Sequence, residues 1–175
     1  MKQVITDPPD LPTGSAAGSS SGVQAGMPGT QTMNTEKWHR TEVVPQVSDT
    51  DYGGGIYHGK YFALYNQARD RFLADLGVSY LSLMNQGLNL SVAELHTRFF
   101  KPVFYGEEIH VLTRVSWLRT RSLGVIQKMI ATDHETGETA LKNQVELNLV
   151  CTNDKAEAVP FPKRLAEAIR GHYRV

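Results

Sequence analysis

The chain is almost without cysteine. Cys151 is the single one in 175 residues, so neither an internal disulfide nor a cysteine-based metal site can be built within the chain. A reducing compartment, the cytoplasm, is therefore expected. An excess of either charge is also lacking: Lys and Arg together number 18, as do Asp and Glu. Nucleic-acid binders ordinarily carry a basic surplus, so that class is set aside, although a local basic pocket for a phosphorylated ligand is not. Long apolar runs are missing too. None reaches the roughly 18 residues of a membrane span, and Met1-Lys2-Gln3-Val4-Ile5-Thr6-Asp7-Pro8-Pro9 has no apolar core of signal-peptide type. The histidines other than His58 (His39, His96, His110, His134 and His172) sit at scattered spacings that suggest no metal cluster, and no metal is expected. What remains, 41% hydrophobic and 21% charged residues, is ordinary for a soluble globular protein.

Composition divides the chain in two. Residues 1–34 are rich in Gly, Ser, Pro, Thr and Ala and cannot bury enough apolar surface to offset their ordering entropy. A disordered N-terminal extension is expected there, and a folded domain over 35–175.

Within that domain, residues 38–48 suggest a first strand, with Pro45 marking an edge or a bulge. Next comes the strongest helical signal. Tyr61, Leu64, Tyr65, Ala68, Phe72 and Leu76 recur at i, i+3, i+4, i+7 and form one apolar stripe. Phe62, Ala63 and Leu73 are expected to widen it, and Gly77 to stop it as a C′ residue. A short second helix is predicted over Ser79–Gln86, closed by Gly87. The period then changes to two. Alternation predicts strands over 88–95, 109–117, 123–131 and 141–149, with Trp117 on the inner face after Val115, and with Lys142, Gln144, Glu146 and Asn148 on a wet face. Residues 163–171 suggest a terminal helix. Short connections favour antiparallel hairpins, and one sheet curled around one long helix is the economical α+β packing.

The chemistry is expected in Asp49-Thr50-Asp51-Tyr52-Gly53-Gly54-Gly55-Ile56-Tyr57-His58-Gly59-Lys60-Tyr61. Glycines permit positive φ and close approach of a ligand to the backbone. The following helix N-terminus offers unpaired N–H groups and partial positive charge. Together they can polarise a carbonyl oxygen while Asp51 acts on the carbonyl carbon. Two other motifs are excluded. A calcium loop starting at Asp49 would need an oxygen ligand at Gly53 and a Glu at Lys60. Gly54 to Lys60 matches G-x-x-x-x-G-K, but Tyr61 stands where a P-loop needs Ser or Thr, and the βαβ alternation is missing. Asp49 is expected to cap the loop, Arg69 to pair with a loop carboxylate such as Asp49, and Cys151 to behave as a small apolar residue.

This stretch, with Ala68-Arg69 after it, resembles the D-x-D-x-x-G-x-x-x-(H/x)-x-x-Y…A-R pattern of the hotdog-fold acyl-CoA thioesterases. The resemblance is to their 4-hydroxybenzoyl-CoA thioesterase branch and its Tol–Pal-associated short-chain acyl-CoA relatives. Phe100-Lys101-Pro102-Val103-Phe104-Tyr105-Gly106-Glu107 is similar to that family's second turn, and the likeness runs from about Trp38 to Leu165. It implies that Asp51 is the catalytic carboxylate, either as nucleophile or as general base. It also implies that the backbone N–H of His58, with Gly59 and Tyr57 beside it, forms the oxyanion and substrate-binding site. The His58 side chain is a second catalytic candidate, since an imidazole can carry a proton near neutral pH. The chain departs from the Tol–Pal-associated relatives at Val47 and Ser48, where they carry a Tyr and an acid. The implied reaction is hydrolysis of an acyl-CoA to a carboxylic acid and coenzyme A, with no cofactor beyond the substrate's own coenzyme A. Lys60, Lys101, Arg119 and Arg121 are candidates for its phosphates. The resemblance further implies a homodimer or homotetramer with sites between subunits, and an open sheet edge agrees with that. The alternative is a hotdog protein that binds acyl-CoA or acyl-carrier protein without turnover.

Overall fold

The computed structural model describes residues 37–173. The expected extension over 1–34 lies outside them. Five strands, β1 (His39–Val43), β2 (Leu88–Phe99), β3 (Glu108–Leu118), β4 (Ser122–Thr132) and β5 (Thr139–Asn153), form one sheet in the order β1-β3-β4-β5-β2. Every pairing is antiparallel. Three helices complete the domain: α1 (His58–Asp75), α2 (Tyr80–Met84) and α3 (Lys163–His172). No helix among the described residues is long and apolar enough to cross a membrane.

α1 lies against the inner face of the sheet. Its stripe of Tyr61, Leu64, Tyr65, Ala68, Phe72 and Leu73 is buried among Val111, Val115, Val125, Met129, Val145 and Leu147 of the central strands. Burying each such side chain stabilises the fold by about 1.5–3 kcal/mol. Phe62 and Ala63, expected to widen the stripe, are exposed, because the sheet covers only one side of the helix. Gly77 stops α1 as expected, with φ +77°. Its N–H donates to Ala74 O (2.9 Å) and the Val78 N–H to Leu73 O (3.0 Å), the paired bonds of a Schellman cap. Ser79 then caps α2, its side chain accepting the Ser82 N–H.

The strand pattern departs from simple alternation at bulges. In β4 the expected inner residues Leu123, Val125, Gln127, Met129 and Ala131 are all buried. In β5, however, Asn143 faces Met129 while Leu141 faces Ile130, so Lys142 is the extra residue. The bulge flips the parity: Leu141 joins the outer face, and Lys142, expected in water, is only 8% exposed. In β3 an equivalent shift at Ser116 sets Trp117 opposite Gly124 and Leu118 opposite Leu123. Trp117 thereby leaves the inner face, its ring lying where a Cβ on Gly124 would be. β1 is shorter than the expected 38–48. Its sheet pairing stops at Val43, and Val47–Asp49 form a 3-10 turn. β2 runs past the expected end to Phe99 and lies at the sheet edge with Val92, Leu95 and Phe99 exposed.

Candidate active site

Residues 49–57 fold into a short hairpin. The Tyr57 N–H donates to Asp49 O and the Asp51 N–H to Gly55 O, both at 2.8 Å, and Thr50 and Ile56 pair antiparallel between them. The Gly54 N–H donates to Asp51 O at 3.0 Å. Gly54 has φ +80°, a conformation that favours glycine. Asp51 stands in the first arm of this hairpin, and α1 begins directly after the second. One carboxylate oxygen, Oδ1, accepts the Gly53 N–H at 2.8 Å, and Oδ2 takes no hydrogen bond among the described residues. Asp51 is exposed.

α1 begins without a cap. Its N-cap residue is Tyr57, whose side chain makes no capping bond, where helices usually place Ser, Thr, Asp or Asn. The N–H groups of His58 and Gly59 consequently meet no acceptor among the described residues. A Cβ on Gly59 would lie 2.8 Å from the Tyr57 ring, so glycine is required for the ring to lie over the backbone there. The Tyr57 ring also packs on the His58 imidazole, with centroids 4.3 Å apart. The hairpin and the first turn of α1 thus form one exposed tip that carries Asp51, Tyr57, His58 and Gly59.

A second loop, of which the expected site contained only Lys101, holds this tip. The Ile56 N–H donates to Val103 O at 2.8 Å, and Gly55 pairs with Phe104. The Val103 N–H donates to the Tyr61 hydroxyl at 3.1 Å. Burial raises the pKa of the Tyr61 phenol, the Val103 bond opposes this, and the charges of Glu107 and Asp51 add to the rise. The loop is anchored in turn by Glu107, which accepts the Phe104 N–H (2.8 Å) on Oε2 and pairs with Lys142 Nζ (2.6 Å) through Oε1. Both side chains of that pair are nearly enclosed. Glu107 was visible in the second motif. Lys142 was not, since its inward direction depends on the β5 bulge.

The remaining site candidates separate. Lys60 pairs with Asp49 Oδ1 at 3.1 Å, so it is a brace for the hairpin and not a free cation. The Asp49 carboxyl is held below its usual pKa by the Gln46 N–H and then by Lys60. This also displaces the expected Arg69–Asp49 pairing: Arg69 donates to Gln127 Oε1 (2.8 Å) and Asn66 Oδ1 (3.0 Å). Arg119 and Arg121 lie in the turn after β3, whereas the hairpin is tied to the loop before β3. The full 11-residue strand intervenes, about 35 Å at 3.3 Å per residue. Within one chain these two cations therefore do not reach Asp51. Arg119 instead lies over the Trp117 ring, 5.2 Å from its centroid. Lys101, exposed just before the Val103 loop, is the one of the four at the same end as Asp51 with no ion pair among the described residues.

The arrangement is an exposed carboxylate in a glycine hairpin followed directly by the unclaimed backbone donors of a sheet-packed helix. Comparison with known proteins identifies the family. A model of the Thioesterase-like superfamily matches residues 45–169, and the chain belongs to that superfamily, with its hotdog fold. It is 28% identical over 131 residues to the acyl-CoA thioester hydrolase YbgC of Escherichia coli O157:H7, covering 73% of this chain and 93% of that one. Among solved structures it is similar to the DHNA-CoA thioesterase of Staphylococcus aureus, with TM-score 0.69, 25% identity and coverage of 77% and 89%. The protein SAV2348 of the same organism, solved in complex with CoA, shares the fold at TM-score 0.69 and 16% identity, with 79% and 85% covered.

Proposed function

We propose that this protein is an acyl-CoA thioesterase of the 4-hydroxybenzoyl-CoA thioesterase and Tol–Pal-associated branch, releasing a carboxylic acid and coenzyme A in a reducing cytoplasm. The observation that carries the reading is that the Asp51 carboxylate, with one oxygen open, stands in the hairpin that runs directly into an uncapped helix with two unclaimed N–H groups. The N–H groups of His58 and Gly59 would receive the thioester oxygen as negative charge develops there. As nucleophile, Asp51 forms a C–O bond to the carbonyl carbon and the C–S bond breaks. Coenzyme A thiolate leaves, and water then cleaves the mixed anhydride. As general base, Asp51 takes a proton from the water that attacks. The exposed His58 ring is placed to pass a proton to the leaving thiolate. No metal or further cofactor takes part in either route. YbgC, a named acyl-CoA thioester hydrolase alignable over nearly its whole length, supports the substrate class.

Two copies would join along β2, the long edge strand with exposed Val92, Leu95 and Phe99, giving a dimer or a tetramer. Lys101 would meet a coenzyme A phosphate from the same chain, and Arg119 or Arg121 only from a second subunit. The test is thiol release from a panel of acyl-CoAs by the wild type and by Asp51→Asn, which keeps size and removes charge. Cleavage of at least one acyl-CoA, with a loss of about a hundredfold or more in the variant, supports the reading. Binding without turnover by both proteins overturns it. A single turnover in isotopic water, with excess enzyme, separates the routes. Label in Asp51 with an unlabelled product indicates the anhydride, and label in the product alone with no trappable anhydride indicates general-base action.

A further inference from the structure

The helix that begins at the proposed oxyanion donors leads into a cavity. Residues 59, 63, 66 and 70 recur at helical spacing and share one face of α1. Gly59 sits at its start, and Ala63, Asn66 and Asp70 line a cavity of about 570 Å3 between α1, α2 and the sheet. That size lies within the range of small-molecule sites. Its walls are largely apolar, with Phe72, Met84, Leu90, Val125 and Leu149 contributing.

One cation, Arg69, lines this cavity. Its hydrogen-bond partners among the described residues are two neutral amide oxygens, Gln127 Oε1 at 2.8 Å and Asn66 Oδ1 at 3.0 Å. Gln127 is wholly buried and is itself fixed, its Nε2 donating to Tyr65 O and Thr113 Oγ1. The guanidinium is thus set in place from behind, with three of its five N–H donors left over. Burial pushes its pKa down to about 10, so it remains charged at neutral pH. Asp70, the one acid lining the cavity, is exposed and forms no ion pair with Arg69. A half-enclosed cation with only neutral partners is costly unless an anion completes it, and a carboxylate fits a guanidinium through two parallel bonds.

We infer that the cavity receives the substrate's acyl group and that Arg69 takes a carboxylate at its far end, making the preferred substrate a medium-length dicarboxylic acyl thioester. The inference rests on the thioesterase reading above. Long helical side chains lean toward the N-terminus, which places the Arg69 head over Asn66, as their bond requires. Asn66 is seven residues beyond Gly59, or about 10 Å along the axis at 1.5 Å per residue. A thioester carbonyl at Gly59 therefore leaves an extended acyl chain to run past the small Ala63 side chain to Arg69.

The experiment compares suberyl-CoA with octanoyl-CoA, equal in chain length and different in the terminal carboxylate, on the wild type, Arg69→Gln and Arg69→Lys. The quantity read is the ratio of the two kcat/KM values within each protein, which a partly unfolded preparation does not alter. The wild type should favour suberyl-CoA by about tenfold or more, as one charge-assisted pair implies. The preference should be carried mainly in KM, vanish in Arg69→Gln and persist in part in Arg69→Lys. A wild-type ratio of one or below, or a preference that survives in Arg69→Gln, overturns the proposal and leaves the thioesterase reading standing. Suberate itself gives a readout free of turnover: it should raise the Tm of the wild type and not of Arg69→Gln. That shift without cleavage of any acyl-CoA would keep the carboxylate site and remove the hydrolase. Neither shift nor cleavage removes both.

Discussion

The two ends of α1 are built on opposite plans. At the C-terminal end Gly77 closes the helix, the last carbonyls are satisfied by the Gly77 and Val78 N–H groups, and Leu73 and Val78 are buried together. At the N-terminal end the cap residue is an aromatic with no capping bond. Two N–H groups stay open, and the glycine hairpin that leads into them carries an exposed carboxylate. One end is completed for stability. The other is left electrostatically incomplete, and what holds it in place is a second loop that reaches back to β5. Incompleteness at a rigidly held helix terminus is what an anion or a developing oxyanion can use.

The largest effect should come from cutting the tether of the open end. Lys142→Met leaves Glu107 buried without its cation, which costs about 3–5 kcal/mol in folding stability. Denaturant unfolding should show this, and the catalytic rate of the folded fraction should fall as well, because the Val103–Phe104 loop loses its anchor. If stability is unchanged, the tether is not what holds the tip. Next is Asp51→Asn, with at least about 2.7 kcal/mol added to the barrier and a Tm close to that of the wild type. A comparable loss of Tm would mean that the hairpin depends on the carboxylate for folding.

Gly59→Ala drives a methyl into the Tyr57 ring. A displacement of this kind at the helix start should lower kcat by roughly tenfold to a hundredfold with little change in the unfolding midpoint. Gly77→Ala should do the reverse. A non-glycine residue in the left-handed region costs about 1–2 kcal/mol, seen as a lower Tm, while kcat/KM stays as in the wild type. If both variants move activity and stability together, the division between the two ends fails.

The smallest effect is in acid. The Asp75 carboxyl is held below its usual 3.8 by the His39 hydrogen bond first, and Arg71 adds to this. A depressed folded pKa contributes stability that is present above the unfolded value and is lost as pH falls through the folded one. The Tm difference between wild type and Asp75→Asn should therefore be visible at about pH 6 and close at about pH 2.5. A difference that persists in acid would show that charge is not its source.

Elements whose cause is local were readable from residues alone. The α1 stripe, the Gly77 stop, the Ser79 start of α2 and the inner face of β4 follow from side-chain period and cap chemistry, and each is found where the pattern places it. Asp51 and the glycine turn were legible for the same reason: a hairpin tip and a helix start are made by neighbours in sequence. Misreadings came where a distant partner decides. Lys142 turns inward because Glu107 waits there and a bulge takes up the extra residue. Trp117 leaves the inner face because of the Ser116 bulge. Lys60 pairs with Asp49, and Arg69 bonds the buried Gln127 and not Asp49.

Sequence alone therefore settled the α+β class, the wrapped helix and, through its motif, the family in which to look. Only the tertiary structure decided which charges are free, which are braces, and what fixes the tip to the sheet. The physical reason is range. Helical and strand periods and glycine conformations are properties of a few consecutive residues, whereas the disposition of a charged side chain depends on which oxygen the fold brings within about 3 Å of it.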